Sequence, residues 1–299
     1  MRLRSFEDQY KASDDFERVY LEAVVASKDI VQPFILALET KNTKLVAIAV
    51  SSLQKLFSRN AVAVDVVPGI LRAISTHLDN TDETILLKIL QAIVALLTSQ
   101  IPIHHTTLSS ALSICIHLNL NRNSIVRSTA GASLKQVATN LIERAISEAE
   151  NGADVDIKKQ DTYVHDAYHF VLDICRLTRT DSPSWLKIKE LSLPLGMEML
   201  ESVLSANPAF FVEHAPFLTL LRDQVFPLVV QTFKQSHNFT VILRLLRLIN
   251  CIIQNFSKNL AAESEVFLCR LVRMIKPDGP KWLNALVLEI FSTYFHDEE

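Results

Sequence analysis

The sequence predicts an all-α protein of the HEAT/armadillo-like α-solenoid class, and three observations support this prediction. Apolar residues recur with helical spacing along almost all of the 299 residues. No segment alternates apolar and polar residues between hairpin turns, as β-strands would require. Helix starts recur about every 40 residues, which is the length of HEAT and armadillo units. With 49% hydrophobic residues and only five glycines, the composition suits tightly packed helices.

The repeat is seen most clearly at three apolar residues spaced 40 apart, Leu45, Ile85 and Ile125. Each follows a polar cluster of the kind that caps helices, at residues 42–43, 82–84 and 123–124. The matching later positions are again apolar: Phe57, Leu97 and Val137. Chance similarity among leucine-rich helices is the alternative, and it leaves the all-helical prediction unchanged.

Two predicted helices differ in how much of their circumference is apolar. Residues 42–59 carry one apolar stripe, so we expect that helix to bury a single face. The stripe consists of Leu45, Ile48, Ala49, Leu53, Leu56 and Phe57. Residues 85–97 are apolar almost all round, which predicts an inner helix packed between neighbours.

A second recurrence places a tryptophan shortly after a proline. The sequence from Asp181 to Leu186 is echoed by the sequence from Asp278 to Leu283. Because proline suits the first turn of a helix and an upstream Asp or Ser can cap it, both segments predict helix starts. We expect Trp185 and Trp282 to have structural roles in grooves between helices, with ligand stacking as the alternative.

The hydrophobic pattern breaks once, between residues 148 and 161, where charges and a glycine replace the apolar stripe. This break predicts two regions, residues 1–150 and residues 161–299, joined by a linker at residues 151–160.

Charge and cysteine usage exclude several classes of protein. The first 150 residues contain 15 basic and 15 acidic side chains, and the remainder contains 15 and 18. Neither half is basic enough to bind nucleic acid through bulk charge. Charges interrupt the apolar runs before they could span a bilayer, and no apolar signal core follows the start, so we expect a cytoplasmic protein. The four cysteines lack zinc-site spacing and are predicted to be reduced core residues; they are Cys115, Cys175, Cys251 and Cys269.

Enzymatic motifs are weak throughout the sequence. No GxSxG, P-loop or GxGxxG motif occurs, so we expect no enzyme activity and no cofactor. His165 and His169 stand four apart, a spacing that can share a metal ion, with Asp166 placed like a general base. A catalytic zinc also needs a third protein ligand, and no motif selects one. Packed or surface histidines are therefore favoured over a metal hydrolase.

Basic residues concentrate near the C-terminal end. Arg244 and Arg247 share one predicted helix face, and Arg270, Arg273 and Lys276 share another. If the two stripes are coplanar, they predict binding to an anionic membrane surface. The alternative is that both are solvated outer faces.

Several ordered segments resemble one family, the monensin-sensitivity protein family of Golgi scaffolds related to the large Arf guanine-nucleotide exchange factors. The resemblance covers residues 28–292 and lies in many segments, not in one diagnostic motif. The segments include Val31-Gln-Pro-Phe34, Asp173-Ile-Cys-Arg-Leu-Thr178, Ser184-Trp-Leu186, Leu200-Glu-Ser-Val-Leu204, Val225-Phe-Pro-Leu228, Arg244-Leu-Leu-Arg247 and Glu265-Val-Phe-Leu268.

The resemblance implies that residues 1–150 are a dimerisation and cyclophilin-binding (DCB) region. Residues 161–299 would be the region of homology upstream of the exchange domain (HUS). It implies a non-catalytic scaffold in traffic between the trans-Golgi network and endosomes, peripheral on those membranes. The implied partners are an Arf or Arf-like small GTPase, a Dopey/phospholipid-flippase complex and a second copy of the chain.

One alternative from a different class stays open. The chain ends at Glu299, before the Asn-Tyr-Asp-Cys box of true exchange factors, so we expect it to be a fragment of a larger protein. The autoregulatory N-terminal arm of a true Arf exchange factor would then have the same sequence features.

Overall fold

The computed structural model describes residues 28–40, 42–151, 157–234 and 238–296, and every regular element in these ranges is helical. The first part contains α1 (Gln32–Leu38), α2 (Thr43–Ser58), α3 (Val67–Ser75), α4 (Glu83–Thr98), α5 (His105–Asn119) and α6 (Ser124–Glu150). The second contains α7 (Tyr163–Thr178), α8 (Leu193–Ala206), α9 (Pro208–Glu213), α10 (Ala215–Leu220), α11 (Phe226–Phe233), α12 (Phe239–Phe256), α13 (Ala261–Met274) and α14 (Lys281–His296). Short 3-10 helices lie at Lys28–Ile30 and Val64–Val66, and a π-helix at Leu221–Val225 joins α10 to α11.

The chain forms two compact units that divide between Val137 and Ala138, inside α6. Helix α6 itself continues to Glu150, so the first residues of the segment that lacks an apolar stripe are helical. The Glu148 carboxylate instead accepts a hydrogen bond from the backbone N–H of Val164 at 3.1 Å and helps to cap α7. Residues 152–156 of the predicted linker lie outside the described residues.

Capping side chains mark the repeat in the first unit. Asn42, Asp82 and Asn123 precede α2, α4 and α6. In each, a side-chain oxygen accepts the backbone N–H two residues further on, at 3.0, 2.9 and 2.8 Å. Such bonds satisfy amide groups that have no partner inside the first helical turn. The polar clusters predicted from the sequence are therefore helix caps.

Hydrogen bonds also join equivalent places in successive repeats. The Asn60 side-chain oxygen accepts the backbone N–H of Gln100 at 2.8 Å, and the Asn123 amide donates to the Glu83 carboxylate at 2.7 Å. Each pair is 40 residues apart. Caps, these links and buried positions such as Phe57, Leu97 and Val137 recur every 40 or 41 residues, so the structure confirms the all-α, HEAT/armadillo-like class.

Helix α4 packs against both α2 and α5 in the first unit. It buries eight apolar residues, among them Ile85, Ile89 and Leu97, as its apolar circumference predicted. Helix α2 differs from the prediction, because Leu45 and Ile48 remain 44% and 62% exposed. The face of α2 that is buried is formed by Val46, Ala49, Val50, Leu53 and Phe57.

In the second unit, α8 packs against both α7 and α12. Gly196 of α8 faces Thr178 of α7, and a Cβ added at position 196 would lie 2.0 Å from the Thr178 hydroxyl oxygen. Any larger residue at this position would therefore overlap the Thr178 side chain.

One described helix, α12, is long and apolar enough to cross a membrane by length and composition alone. Half of its length is buried inside the unit, and Arg244 and Arg247 interrupt it. Packing against α8 accounts for its apolar side chains.

Candidate interaction surfaces

A buried carboxylate organises the loop after α7. Asp173 is fully buried and accepts backbone N–H bonds from Ser184 at 2.9 Å, Trp185 at 2.6 Å and Leu186 at 2.7 Å. The Ser184 hydroxyl adds a fourth donor at 3.1 Å, and the Arg176 guanidinium lies 3.6 Å from the carboxylate. Several donors around one carboxylate offset the cost of removing its charge from water.

This loop corrects one predicted helix start. Residues 181–192 are not helical, although the Asp181–Leu186 sequence resembles a capped first turn. The N–H groups that would open the helix are instead directed at Asp173. Helix α14 does begin at Lys281, directly after Pro280, as the parallel segment predicted.

The two tryptophans differ in burial. Trp185 is 8% exposed and belongs to the core beside Asp173. Trp282 is only half-buried and packs edge to face against Phe239, with ring centroids 4.7 Å apart. Phe239 itself is 55% exposed.

The predicted basic stripe on α12 does not form one free face. The Arg244 guanidinium pairs with the Glu198 carboxylate of α8 at 3.0 Å, and both side chains are about three-quarters buried or more. Arg247 is exposed and lines a cleft of about 240 Å³ between α12 and α14. The two arginines therefore face different helices, Arg244 facing α8 and Arg247 facing α14. Since its guanidinium is paired with Glu198, Arg244 is not available to an anionic surface.

The remaining basic residues lie on and just after α13. Arg273 and Lys276 are exposed, and Arg270 is half-buried. Val266 and Val272 of the same helix are exposed as well, at 40% and 56%. The outer side of α13 therefore presents both cations and apolar side chains to solvent.

The histidine pair lies on α7 in the second unit, where His165 is buried and His169 is half-buried. His165 is 6% exposed, and its Nδ1 lies 2.7 Å from the Ile157 carbonyl oxygen. The His165 and His169 rings pack 4.3 Å apart. Among the described residues, no three His, Cys, Asp or Glu side chains are grouped so that they could hold a metal ion. The two histidines take part in packing here.

Three of the four cysteines are buried, and Cys269 is exposed, which corrects the prediction of four core residues. Burial raises the pKa of the Cys115 and Cys175 thiols to about 12 and that of the Cys251 thiol to about 11. These three thiols stay protonated near neutral pH and are poor nucleophiles.

A second cleft, of about 540 Å³, lies in the first unit between the loops that precede α4 and α6. Most of its polar lining residues form hydrogen bonds with neighbouring residues. Asn80 and Asn121 accept the backbone N–H groups of Asp82 and Asn123, His117 lies 3.3 Å from the Asp79 carboxylate, and Glu83 is bonded to Asn123. Across the described ranges, the accessible features are helix faces and shallow clefts. This is the architecture of a helical-repeat binding module.

Comparisons with known proteins identify the family. The model of the Mon2/Sec7/BIG1-like dimerisation and cyclophilin-binding domain matches residues 1–149, and that of the Mon2/Sec7/BIG1-like HUS domain matches residues 163–299. The chain belongs to the Mon2/Sec7/BIG1-like family, which confirms the resemblance seen in the sequence.

Similar proteins include Protein MON2 homolog of Homo sapiens, 30% identical over 296 residues, and that of Xenopus laevis, 31% identical over 296 residues. Each alignment covers 88% of this chain and 17% of the relative. Protein MON2 of Saccharomyces cerevisiae is 26% identical over 314 residues, with 97% of this chain and 19% of the relative covered. The chain thus spans less than one fifth of the length of these relatives.

Among solved structures, a designed armadillo repeat protein aligns with 88% of this chain and 99% of its own, at 12% identity and a TM-score of 0.41. The assignment of fold class rests on the packing described above.

Proposed function

We propose that this chain is a non-catalytic scaffold or regulatory region in vesicle traffic between the Golgi and endosomes. The observation that carries the proposal is the occurrence of both family domains, in order, along one chain. Long helix faces suit the binding of other proteins, because stacked helical repeats present extended surfaces. The proposed location is the cytoplasmic side of Golgi, trans-Golgi and endosomal membranes, where the chain would be peripheral.

The proposed partners are an Arf or Arf-like small GTPase, a Dopey/phospholipid-flippase complex and an anionic lipid surface, without nucleic acid. A pull-down with the 299-residue chain tests the first of these, using Arf and Arf-like GTPases loaded with GDP or with a GTP analogue. We expect retention that depends on the nucleotide state of at least one GTPase. Equal background retention of every GTPase in both states would contradict the proposal.

For the domain organisation, we propose a DCB region at residues 1–150, a linker at 151–160 and a HUS region at 161–299. The linker sequence combines glycine, charges and few apolar anchors, a composition that favours proteolytic cleavage. Limited proteolysis should cut there first and leave two helical fragments. First cuts inside α4 or α8 would contradict this division.

The DCB region is also the proposed site of self-association, since the matching family domain is described as a dimerisation domain. Leu45 and Ile48 lie one turn apart on α2 and are exposed, so we assign them to a contact with a second copy. Ile48→Glu should lower the molecular mass measured by light scattering from dimer to monomer. Leu288→Glu, at a similarly exposed position in the other unit, is the control and should leave the mass unchanged.

A second candidate is the autoregulatory arm of a true Arf exchange factor, which the Sec7 and BIG1 names in the family description favour. The complete open reading frame distinguishes the two candidates, because only the second continues into an exchange domain.

A further inference from the structure

Two aromatic side chains stand together at the start of two long helices. Phe239 is in the first turn of α12 and Trp282 is in the first turn of α14. Their rings meet edge to face at 72°, and Phe239 is 55% exposed. An apolar ring that is more than half exposed gains free energy when it leaves water.

Two lysines lie on an ordered turn that immediately precedes Trp282. The Asn284 side chain donates to the Lys276 carbonyl oxygen at 2.8 Å and accepts the Lys276 backbone N–H at 3.4 Å. These bonds hold the turn at residues 276–281 against the first turns of α14, next to Trp282. Lys276 and Lys281 are both exposed there, and Asp278 is the only carboxylate in the turn.

Aromatic rings next to lysines are the side chains favoured at the boundary between lipid headgroups and acyl chains. Tryptophan and phenylalanine gain by leaving water at that depth, while lysine stems extend so that their ammonium groups reach anionic headgroups. We propose that Phe239, Trp282, Lys276 and Lys281 form an interfacial anchor that inserts into an anionic phospholipid surface. We call these four residues the aromatic anchor.

The aromatic anchor gives a location to the membrane contact in the proposed function, on which this inference rests. The aromatic anchor is not the basic stripe predicted from the sequence, because Arg244 of that stripe is ion-paired with Glu198. Charge complementarity selects an anionic lipid as the occupant, since two exposed lysines accompany the rings and one carboxylate opposes them. A protein partner on the same rings is the competing outcome of the test.

Co-sedimentation of the 299-residue chain with two kinds of vesicle tests the anchor. We expect binding to vesicles of phosphatidylcholine with phosphatidylserine and much weaker binding to phosphatidylcholine alone. Phe239→Ser and Lys281→Glu should each weaken binding roughly tenfold, because one loses the apolar contact and the other reverses an attractive charge.

Matched controls come from the same unit. Phe295 is 61% exposed at the opposite end of α14, and Lys258 is exposed just beyond the C-terminal end of α12. Phe295→Ser and Lys258→Glu should bind vesicles like the unmodified chain. Circular dichroism melting curves establish that all four variants are folded.

Tryptophan fluorescence gives a direct readout of insertion. Lipids brominated on the acyl chains should quench Trp282 and leave the buried Trp185 unaffected. The Trp282→Phe variant, which keeps Trp185, should then show no quenching.

The outcomes separate this inference from the proposed function. Vesicle binding that is unchanged in the anchor variants, or lost equally in the controls, overturns the anchor. Nucleotide-dependent GTPase binding by a chain that binds no vesicles also overturns it and points to a protein on these rings, while the scaffold proposal stands. Anchor-dependent vesicle binding without any GTPase binding supports the anchor and contradicts the scaffold proposal.

Discussion

The carboxylate of Asp173 accepts the backbone N–H of Trp185 at 2.6 Å, and this bond fixes the loop between α7 and α8. Two further N–H groups and one hydroxyl converge on the same carboxylate. The loop is therefore ordered by one buried side chain on the preceding helix, and Trp185 enters the core as a consequence.

Replacing Asp173 by Asn should destabilise the chain by about 3 kcal/mol, because the amide removes the charge and presents donors to donors inside the core. Urea unfolding measures the change. Asp181→Asn is the control: its carboxylate is 58% exposed beside Arg179, and its loss should cost less than about 1 kcal/mol. Equal effects of the two substitutions would contradict the role assigned to Asp173.

Replacing the two tryptophans by alanine should lower the free energy of unfolding by different amounts. Trp185→Ala empties a buried site and should cost about 3–5 kcal/mol. Trp282→Ala should cost about 1–2 kcal/mol, because its side chain is less completely buried than that of Trp185. Denaturant unfolding measures both losses of stability from the shift in midpoint, provided that the dependence of the unfolding free energy on denaturant concentration is unchanged. A larger loss of stability in Trp282→Ala than in Trp185→Ala would contradict the packing described for α14.

Gly196→Ala should destabilise by about 3 kcal/mol, since the added methyl would overlap the Thr178 hydroxyl. Thr178→Ala should partly restore stability in the double variant, because it removes the overlapping oxygen. A double-mutant cycle measures this coupling. Additive losses would mean that the two helices do not meet at this pair.

Thiol labelling should distinguish Cys269 from the other cysteines. At about pH 8 a disulfide reagent should label Cys269 in the folded chain, while the three buried thiols, with their raised pKa values, react only after unfolding. The raised folded pKa values also mean that these thiols favour the folded state below the pKa of an exposed thiol and lose that contribution as pH rises above it. Native labelling that survives Cys269→Ser would contradict this assignment.

Local patterns were enough to predict the helices and the repeat. Caps such as Asn42 and inner-helix residues such as Ile89 follow from rules that span a few residues. Helix α2 shows the limit of such patterns. It carries two apolar stripes, one through Leu45 and one through Val46, and only packing against α4 decides which is buried.

Other features depend on distant partners. The Asp181–Leu186 segment satisfies the rules for a helix start, yet its amides at residues 184–186 bond to a carboxylate 11 to 13 residues upstream. Asp173 is one of two acidic residues at buried positions of α7, with Asp166, and this was the available signal. Likewise, nothing near Arg244 in sequence indicates that Glu198, on another helix, would be its partner.

In the proposed function, this chain binds a small GTPase of the Arf class without catalysing nucleotide exchange. Fluorescence anisotropy of Arf and Arf-like GTPases carrying a fluorescent nucleotide reports both events in one titration with the 299-residue chain. The scaffold account predicts a saturable rise in anisotropy for at least one GTPase, with nucleotide release no faster than in its absence. Accelerated release, or no rise for any GTPase in either nucleotide state, would contradict it.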